Sequence, residues 1–299
     1  MLKQLKATAI IVLAICSACI CEAQSGLLLN IKKGDKYLVE YKQQVSVRVS
    51  GQNPDSAFVF TTENIMSTVY EVLSANNNKY QVKATYLSVR FNSNPPAGSG
   101  NSPVQFDSDK PSDMEGEIGD PVKTVLGKST TFTFDGTTKK LVSIDEDPGI
   151  QPENSQGGPE LGLFFFNEDG LRAFAPKLLG GDLPADARIE VGYKWDQNNA
   201  NNNSGMATKF ERHSNISKIE PGSILVDVNQ TVTSAGSPEG SSMTIDSKST
   251  ATGKKVIDRA TGMLLESRFD DKGLIQTESE EGRGTTEKTT ITTLTVKKM

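Results

Sequence analysis

Cysteine is nearly missing from this 299-residue chain: there are 3, and all of them (Cys16, Cys19 and Cys21) fall in the first 21 positions. The chain holds 1 His and 1 Trp, aromatic residues make up 6 %, and no block of clustered Lys and Arg occurs in a chain of formal net charge −5. Each shortage removes a class of function. One imidazole cannot assemble the usual zinc site of three or four His or Cys ligands. Without a basic patch there is no means of displacing counterions from a phosphate backbone, so nucleic acid is not an expected partner.

The one long apolar run covers residues 7–21, 15 positions that follow Lys3 and Lys6 and precede the small residue Ala23. This order reads as a secretory signal peptide cleaved after Ala23, and the run is short of the ~20 residues a bilayer-spanning helix needs. Secretion or a periplasmic location is therefore expected, with no transmembrane segment in the mature chain. Cleavage would remove Lys3, Lys6, Glu22 and every cysteine, moving the net charge to −6 over 276 residues. Such a chain could use neither disulfides nor a thiol nucleophile and would depend on its core alone. The alternative is a lipoprotein acylated and anchored at Cys19, preceded by Ser17 and Ala18.

What the sequence does have is alternation. Tyr37, Val39, Tyr41, Val45, Val47 and Val49 fall on one face of a period-two pattern, as do Tyr80, Val82, Ala84 and Tyr86, after which the phase changes to Leu87, Val89 and Phe91. That change predicts a bulge or a strand buried on both faces. Ile224, Val226, Val228 and Val232 repeat the alternation, and Ser129–Phe134 and Thr289–Val296 are β-branched runs suited to strands. Turns are expected at 74–79, 135–140, 258–262 and 270–273, and polar loops at 95–103, 151–159 and 197–205. Asp120 is placed to cap a short helix begun by Pro121 and ended by Gly127. Leu161–Phe166, then Leu171, Phe174, Leu178 and Leu179 after an Asn167 cap, predict one or two short helices that Pro176 kinks or divides.

The expected fold is all-β with minor α: long antiparallel strands in one or two curved sheets, a half-barrel or clam, with a helical insert near 160–180. The expected organisation is a signal peptide (1–23), an N-terminal β half (24–155), a helical connector (156–190) and a C-terminal β half (191–299). Gly34-Asp35-Lys36-Tyr37 is echoed by Gly192-Tyr193-Lys194-Trp195, and Asp135, Thr138 and Leu141 by Asp258, Thr261 and Leu264 at one constant offset. Both echoes suggest that the halves are related.

Lys32–Tyr37, Phe106–Pro111, Val191–Trp195 and Ile257–Met263 resemble elements of the exported Gram-negative proteins catalogued as domain of unknown function 6263, a likeness covering most of the mature chain. That family implies export and no particular activity. In architecture alone the chain resembles periplasmic lipoprotein carriers whose curved sheet holds acyl chains.

Residue patterns that carry chemistry are few. Gly127-Lys128-Ser129 has the tail of a phosphate-binding loop, but Val122 stands where its first Gly belongs and a strand pattern follows where a helix should. His213 has no Gly-x-Ser-x-Gly elbow to serve and reads as a surface residue. Asp107, Asp109 and Asp113, and the run Asp145-Glu146-Asp147, could offer oxygens to calcium, yet neither has the Gly and Glu spacing of the helix-loop-helix cage and both read as solvated loop charge. Tyr37, Tyr41, Tyr80, Tyr86 and Trp195 would line a cavity or fill the core. Asp55-Ser56-Ala57 resembles an acceptor for O-linked glycan at Ser56. No catalytic, cofactor or metal residue is singled out. The expected function is non-enzymatic binding of an apolar small molecule or lipid in the cell envelope; the alternatives are an adhesion or assembly module that pairs with an envelope protein through exposed edge strands, and a carboxylate-based hydrolase.

Overall fold

A computed structural model describes residues 27–51, 57–96, 102–146, 168–203, 205–238, 241–280 and 282–299. The proposed leader with its cysteines, Ser56, Asp147, the run Leu161–Phe166 and the Asn167 cap lie outside the described residues. Within them the chain forms one antiparallel 12-stranded sheet, curved and unclosed, in the order β6-β5-β3-β2-β1-β12-β11-β10-β9-β8-β7, with β4 paired to β3. The strands are β1 (Lys36–Ser50), β2 (Phe58–Asn76), β3 (Lys79–Asn94), β4 (Val104–Asp107), β5 (Ser129–Asp135), β6 (Lys140–Glu146), β7 (Lys194–Asn203), β8 (Met206–Ile219), β9 (Ser223–Gly236), β10 (Thr244–Asp258), β11 (Leu264–Ser279) and β12 (Gly282–Lys298). Two meanders, β1 to β6 and β7 to β12, are sewn into this single sheet by the pairing of β1 with β12 from Tyr37 opposite Lys298 to Ser50 opposite Thr285.

The alternation read from the sequence sets the register. One row of directly opposed residues crosses eight strands: Val89, Met66, Tyr41, Leu294, Ser267, Lys255, Val226 and Ile216. The change of phase after Tyr86 is a bulge. Ser67 faces Ser88 and Thr68 faces Tyr86, so Leu87 is the extra residue and is turned to solvent. The phase shift thus keeps both Tyr86 and Val89 in the core.

Two helices lie against the sheet, α1 (Gly119–Lys123) and α2 (Glu168–Gly180). The spacing of Leu171, Ala175, Leu178 and Leu179, all buried, gives α2 one apolar face. The helix is not divided at Pro176, which lies inside it. The Pro lacks the N–H that would bond to the carbonyl of residue 172, and burial of the neighbouring leucines offsets that loss. Asp120 does not cap α1. The capping position is Ile118, without a side-chain bond, and Asp120 lies within the helix, where it pairs with Lys123 at 3.0 Å.

Two further expectations need correction. Residues 197–203 are not a loop but most of β7, an edge strand whose polar Asn side chains tolerate water while its backbone pairs with β8. Residues 270–273 are not a turn but the middle of β11, where β10 and β12 satisfy the backbone on both sides and Asp270 pairs with Arg268 at 3.0 Å. The other turns are in place. Asn77 and Asn78, at φ 50° and 60°, join β2 to β3.

Both sequence echoes have structural counterparts. Gly34 and Gly192 take φ +87° and +89° immediately before β1 and β7, the opening strands of the two meanders. Asp135 accepts hydrogen bonds from the backbone N–H groups of Thr137 and Thr138 in the turn from β5 to β6, and Asp258 accepts from Ala260 N–H and the Thr261 hydroxyl in the turn from β10 to β11. A strap at 27–33 crosses one end of the sheet. It buries Leu29 and Ile31, takes the Tyr80 hydroxyl on the Leu29 carbonyl, and donates Asn30 N–H to the Thr261 carbonyl, so it ties the two meanders together.

Candidate functional site: a cationic trough on the inner face

The inner face of the sheet is filled at the strap end and open at the other. Tyr37, Val39, Ile216, Ile224, Val226, Ile257, Met263 and Leu264 pack beneath α2 in the main core. Beyond them, over β8 to β12 and β1, the helix no longer covers the sheet and a trough of about 660 Å3 remains. Its floor comes from alternate positions of the strands: Ser247, Ser249 and Ala251 on β10; Ser267, Phe269, Asp271, Gly273 and Ile275 on β11; Lys288, Thr290, Thr292 and Leu294 on β12. Tyr41 forms one wall, and Phe174 of α2 overhangs it.

Position 253 on β10 is directly opposite Phe269, and a Cβ there would collide with the Phe269 ring. Glycine thus lets the ring lie flat across β10. That ring is bracketed by cations, with the Lys255 ammonium 5.6 Å and the Arg212 guanidinium 5.8 Å from its centroid; Arg212 also sits 5.5 Å from the Phe210 centroid.

A buried charge cluster closes the inner end. Lys255 is the only charged member of the row that crosses the sheet, and its side chain is 6 % exposed. It pairs with Asp182, whose carboxylate also receives Arg212 at 2.8 Å. Asp182 reaches this place because the chain leaves α2 through two successive left-handed residues, Gly181 at φ +63° and Asp182 at φ +56°. Aspartate is among the few side chains that tolerate that conformation. Arg212 donates further to Gln230 Oε1 at 2.8 Å, which locks the guanidinium in position. Burial alone would raise the carboxyl pKa of Asp182, but Lys255 and Arg212 hold it below the ordinary Asp range. Burial pulls Lys255 and Lys177 below the usual lysine value.

The trough is lined by the side chains of four cations (Lys177, Arg212, Lys255 and Lys288) and two carboxylates (Asp182 and Asp271), a net +2 within a chain of formal net charge −5. Asp271 accepts the Ser249 hydroxyl at 2.6 Å. Lys177, three residues after Phe174 on the same face of α2, makes no ion pair among the described residues.

Of the five aromatic residues considered from the sequence, Tyr41 alone lines the trough; Tyr37, Tyr80 and Tyr86 are core, and Trp195 stacks on Tyr193 with centroids 6.0 Å apart. His213 is exposed at 63 % and pairs with the equally open Asp196 at 2.8 Å. Lys128-Ser129 leads into β5, and Tyr86 exchanges backbone hydrogen bonds with Gly127 and Lys128, so no phosphate loop forms. Around Asp107, Asp109 and Asp113 the oxygens are taken by protein donors. Arg90 bonds Asp107 at 3.3 Å and Asp109 at 2.8 Å, and Asp113 accepts Asp107 N–H. No cluster of three or more His, Cys, Asp or Glu suited to a metal ion occurs among the described residues. The decisive residues, Asp182, Arg212 and Lys255, escaped the sequence reading. One signal for Lys255 existed: it shares the alternate positions of Ala251 and Ile257 on β10.

No family model matches the chain, and no curated protein does. Among solved structures it is similar over 90 % of its length, at 9 % identity and a TM-score of 0.43, to lipovitellin in a structure concerned with lipid–protein interactions, where it spans 25 % of that chain. It is similar at 8 % identity and a TM-score of 0.26 to the COG4313 outer membrane channel from Pseudomonas putida F1, covering 90 % of this chain and 98 % of the channel. The outer membrane protein OprD from Pseudomonas aeruginosa gives 6 % identity and a TM-score of 0.24 over 92 % of this chain and 97 % of its own. No helix among the described residues is long and apolar enough to cross a membrane.

Proposed function

We propose that this chain is a non-enzymatic binding protein of the cell envelope whose trough takes up an apolar molecule or the apolar part of a lipid. The observation that carries this reading is a trough of about 660 Å3 left open on the inner face of an otherwise packed sheet, a volume inside the roughly 300–1,000 Å3 of small-molecule sites. Phe174, Phe269, Ile275 and Leu294 give it carbon to cover, while Ser and Thr along the floor keep it wettable when empty. Export would follow from the leader at 1–23, with anchoring through Cys19 as the second route. The His213–Asp196 pair lies in the open on β8 and β7, outside the trough.

The test is fluorescence of a neutral apolar probe, N-phenyl-1-naphthylamine, titrated with the full chain and with Thr290→Trp, which places an indole on the trough floor. We expect saturable binding to the natural chain and its loss in the variant, together with a ligand-bearing native mass for protein purified from its own envelope. Absence of probe binding and a clean unliganded mass would overturn the reading. An assembly role has one specific observation in its favour, the ten-residue edge strand β7, whose outer side pairs with no strand among the described residues. Cross-linking from Asn198 in intact cells should then capture a defined partner.

A further inference from the structure

We infer that the occupant of the trough is a single-chain amphiphile with a carboxylate head, seated with the head at Lys177 and the chain running over Phe174 and Phe269 toward Ile275. This rests on the proposed function and deepens it by naming the ligand class. The first support is charge. Against the acidic balance of the whole chain the trough is net positive, and its two carboxylates are already engaged, Asp182 by Lys255 and Arg212 and Asp271 by Ser249. At the inner end the Lys177 ammonium lines the trough, is exposed there and makes no ion pair among the described residues; the charge of Asp182 reaches it only in part, because that carboxylate is bonded to Lys255 and Arg212. An anion placed beside it in the trough would supply the charge-assisted hydrogen bond that the protein itself does not.

The second support is placement. Phe174 and Lys177 stand three apart on α2, so a cation and an aromatic face share one surface of the helix and both line the trough. A head bonded to Lys177 therefore leaves its chain against Phe174, and the Phe269 ring, held flat by the absence of a side chain at Gly253, extends the same carbon surface outward. The third is size: about 660 Å3 suits one chain, where ligand sites of roughly 300–1,000 Å3 bury a drug-sized molecule.

The experiment compares cis-parinaric acid with its methyl ester, both read by polyene fluorescence, on the full chain and on Lys177→Gln. The free acid should bind about tenfold more tightly than the ester, and Lys177→Gln should cost the acid about tenfold while leaving the ester unchanged. Because Lys177 makes no ion pair among the described residues, its replacement should leave the fold intact, which an unchanged thermal midpoint would verify. Equal affinity for acid and ester, or an acid preference that survives Lys177→Gln, would overturn this inference and leave the proposed function standing. Failure of both probes to bind would remove the proposed function as well.

Discussion

The two halves of the inner face are treated differently by the same chain. Over β1 to β3 the face is plugged. The excursion from β4 through a 3-10 turn at Pro111–Met114 to α1 folds back and packs Phe106, Val122 and Val125 onto Met66, Tyr86, Val89 and Phe91. Over β8 to β12 no such excursion returns among the described residues, and the alternate positions change character to Ser249, Gln230, Thr290 and Thr292. Where the chain supplies its own cover, the sheet presents Met, Tyr, Val and Phe; where it does not, it presents small hydroxyl residues, one aromatic platform and cations. The open trough is thus written into the strands that floor it. A sheet merely missing its lid would have kept large apolar residues there, and burial worth about 25 cal/mol per Å2 would have drawn a neighbouring segment over them.

Single truncations should separate the two regions sharply. Phe106→Ala, in the plug, should cost about 3–5 kcal/mol of unfolding free energy in urea, since the cavity is enclosed and its walls are strands that cannot collapse. Ile275→Ala, on the trough floor, should cost about 1 kcal/mol or less while weakening N-phenyl-1-naphthylamine binding. A large stability loss at Ile275 would break the comparison, because it would mean the trough is core.

The charge cluster marks the boundary between the filled and open parts, and it should behave as a unit. Asp182→Asn keeps a side chain that tolerates positive φ but leaves Lys255 and Arg212 facing each other without their shared carboxylate; the expected cost is about 3 kcal/mol. Adding Lys255→Met should restore part of it, as it removes one of the two cations left facing each other. The pH dependence has a definite sign. The folded pKa of Asp182 is depressed, so its contribution is fully present above the unfolded Asp value of about 3.9 and is lost as pH falls through the folded value. The unfolding free energies of the natural chain and Asp182→Asn should therefore converge below about pH 4.

The sheet was largely legible in the sequence and the site was not, for one reason. Period two announces a strand and its two faces, which is how β1, β3 and even the Leu87 bulge could be read, but it does not say which strand will be left uncovered. Residues 197–203 looked like a loop because Asn has low strand preference, yet an edge strand needs only one neighbour and a wet outer face. Residues 270–273 looked like a turn because Asp-Asp-Lys-Gly carries turn residues, and pairing on both sides overrode that preference. Asp182 was hidden more deeply. Its partners come from β8 and β10, 30 and 73 positions away, and only the helix exit at Gly181 aims it at them. Lys255 betrayed itself by sitting in register with Ala251 and Ile257, a charge on an apolar stripe that the pattern alone would mark as an anomaly.

The smallest expected effect probes the seam where the first meander touches α2. Lys139, in the turn from β5 to β6, lays its stem against Gly180 and donates its ammonium to the Leu183 carbonyl at 3.2 Å, and burial depresses its pKa to about 8. A lysine that titrates near 8 when folded and near 10.4 when unfolded penalises folding while charged, so stability should rise as pH climbs from about 8 toward 10. Lys139→Met retains the stem and discards the charge, so it should lack this part of the rise, while the rise due to Lys177 and Lys255, also depressed by burial, is common to both chains. Above about pH 10 the buried Tyr37 and Tyr70 work in the opposite sense. Their pKa values are raised on folding, so the stability they contribute is lost as pH rises past the free tyrosine value. That loss is common to both chains and cancels in the difference between them. A difference that does not move between pH 8 and 10 would show that the Lys139 ammonium stays hydrated, and that the first meander meets the helix through a wet seam instead of a packed one.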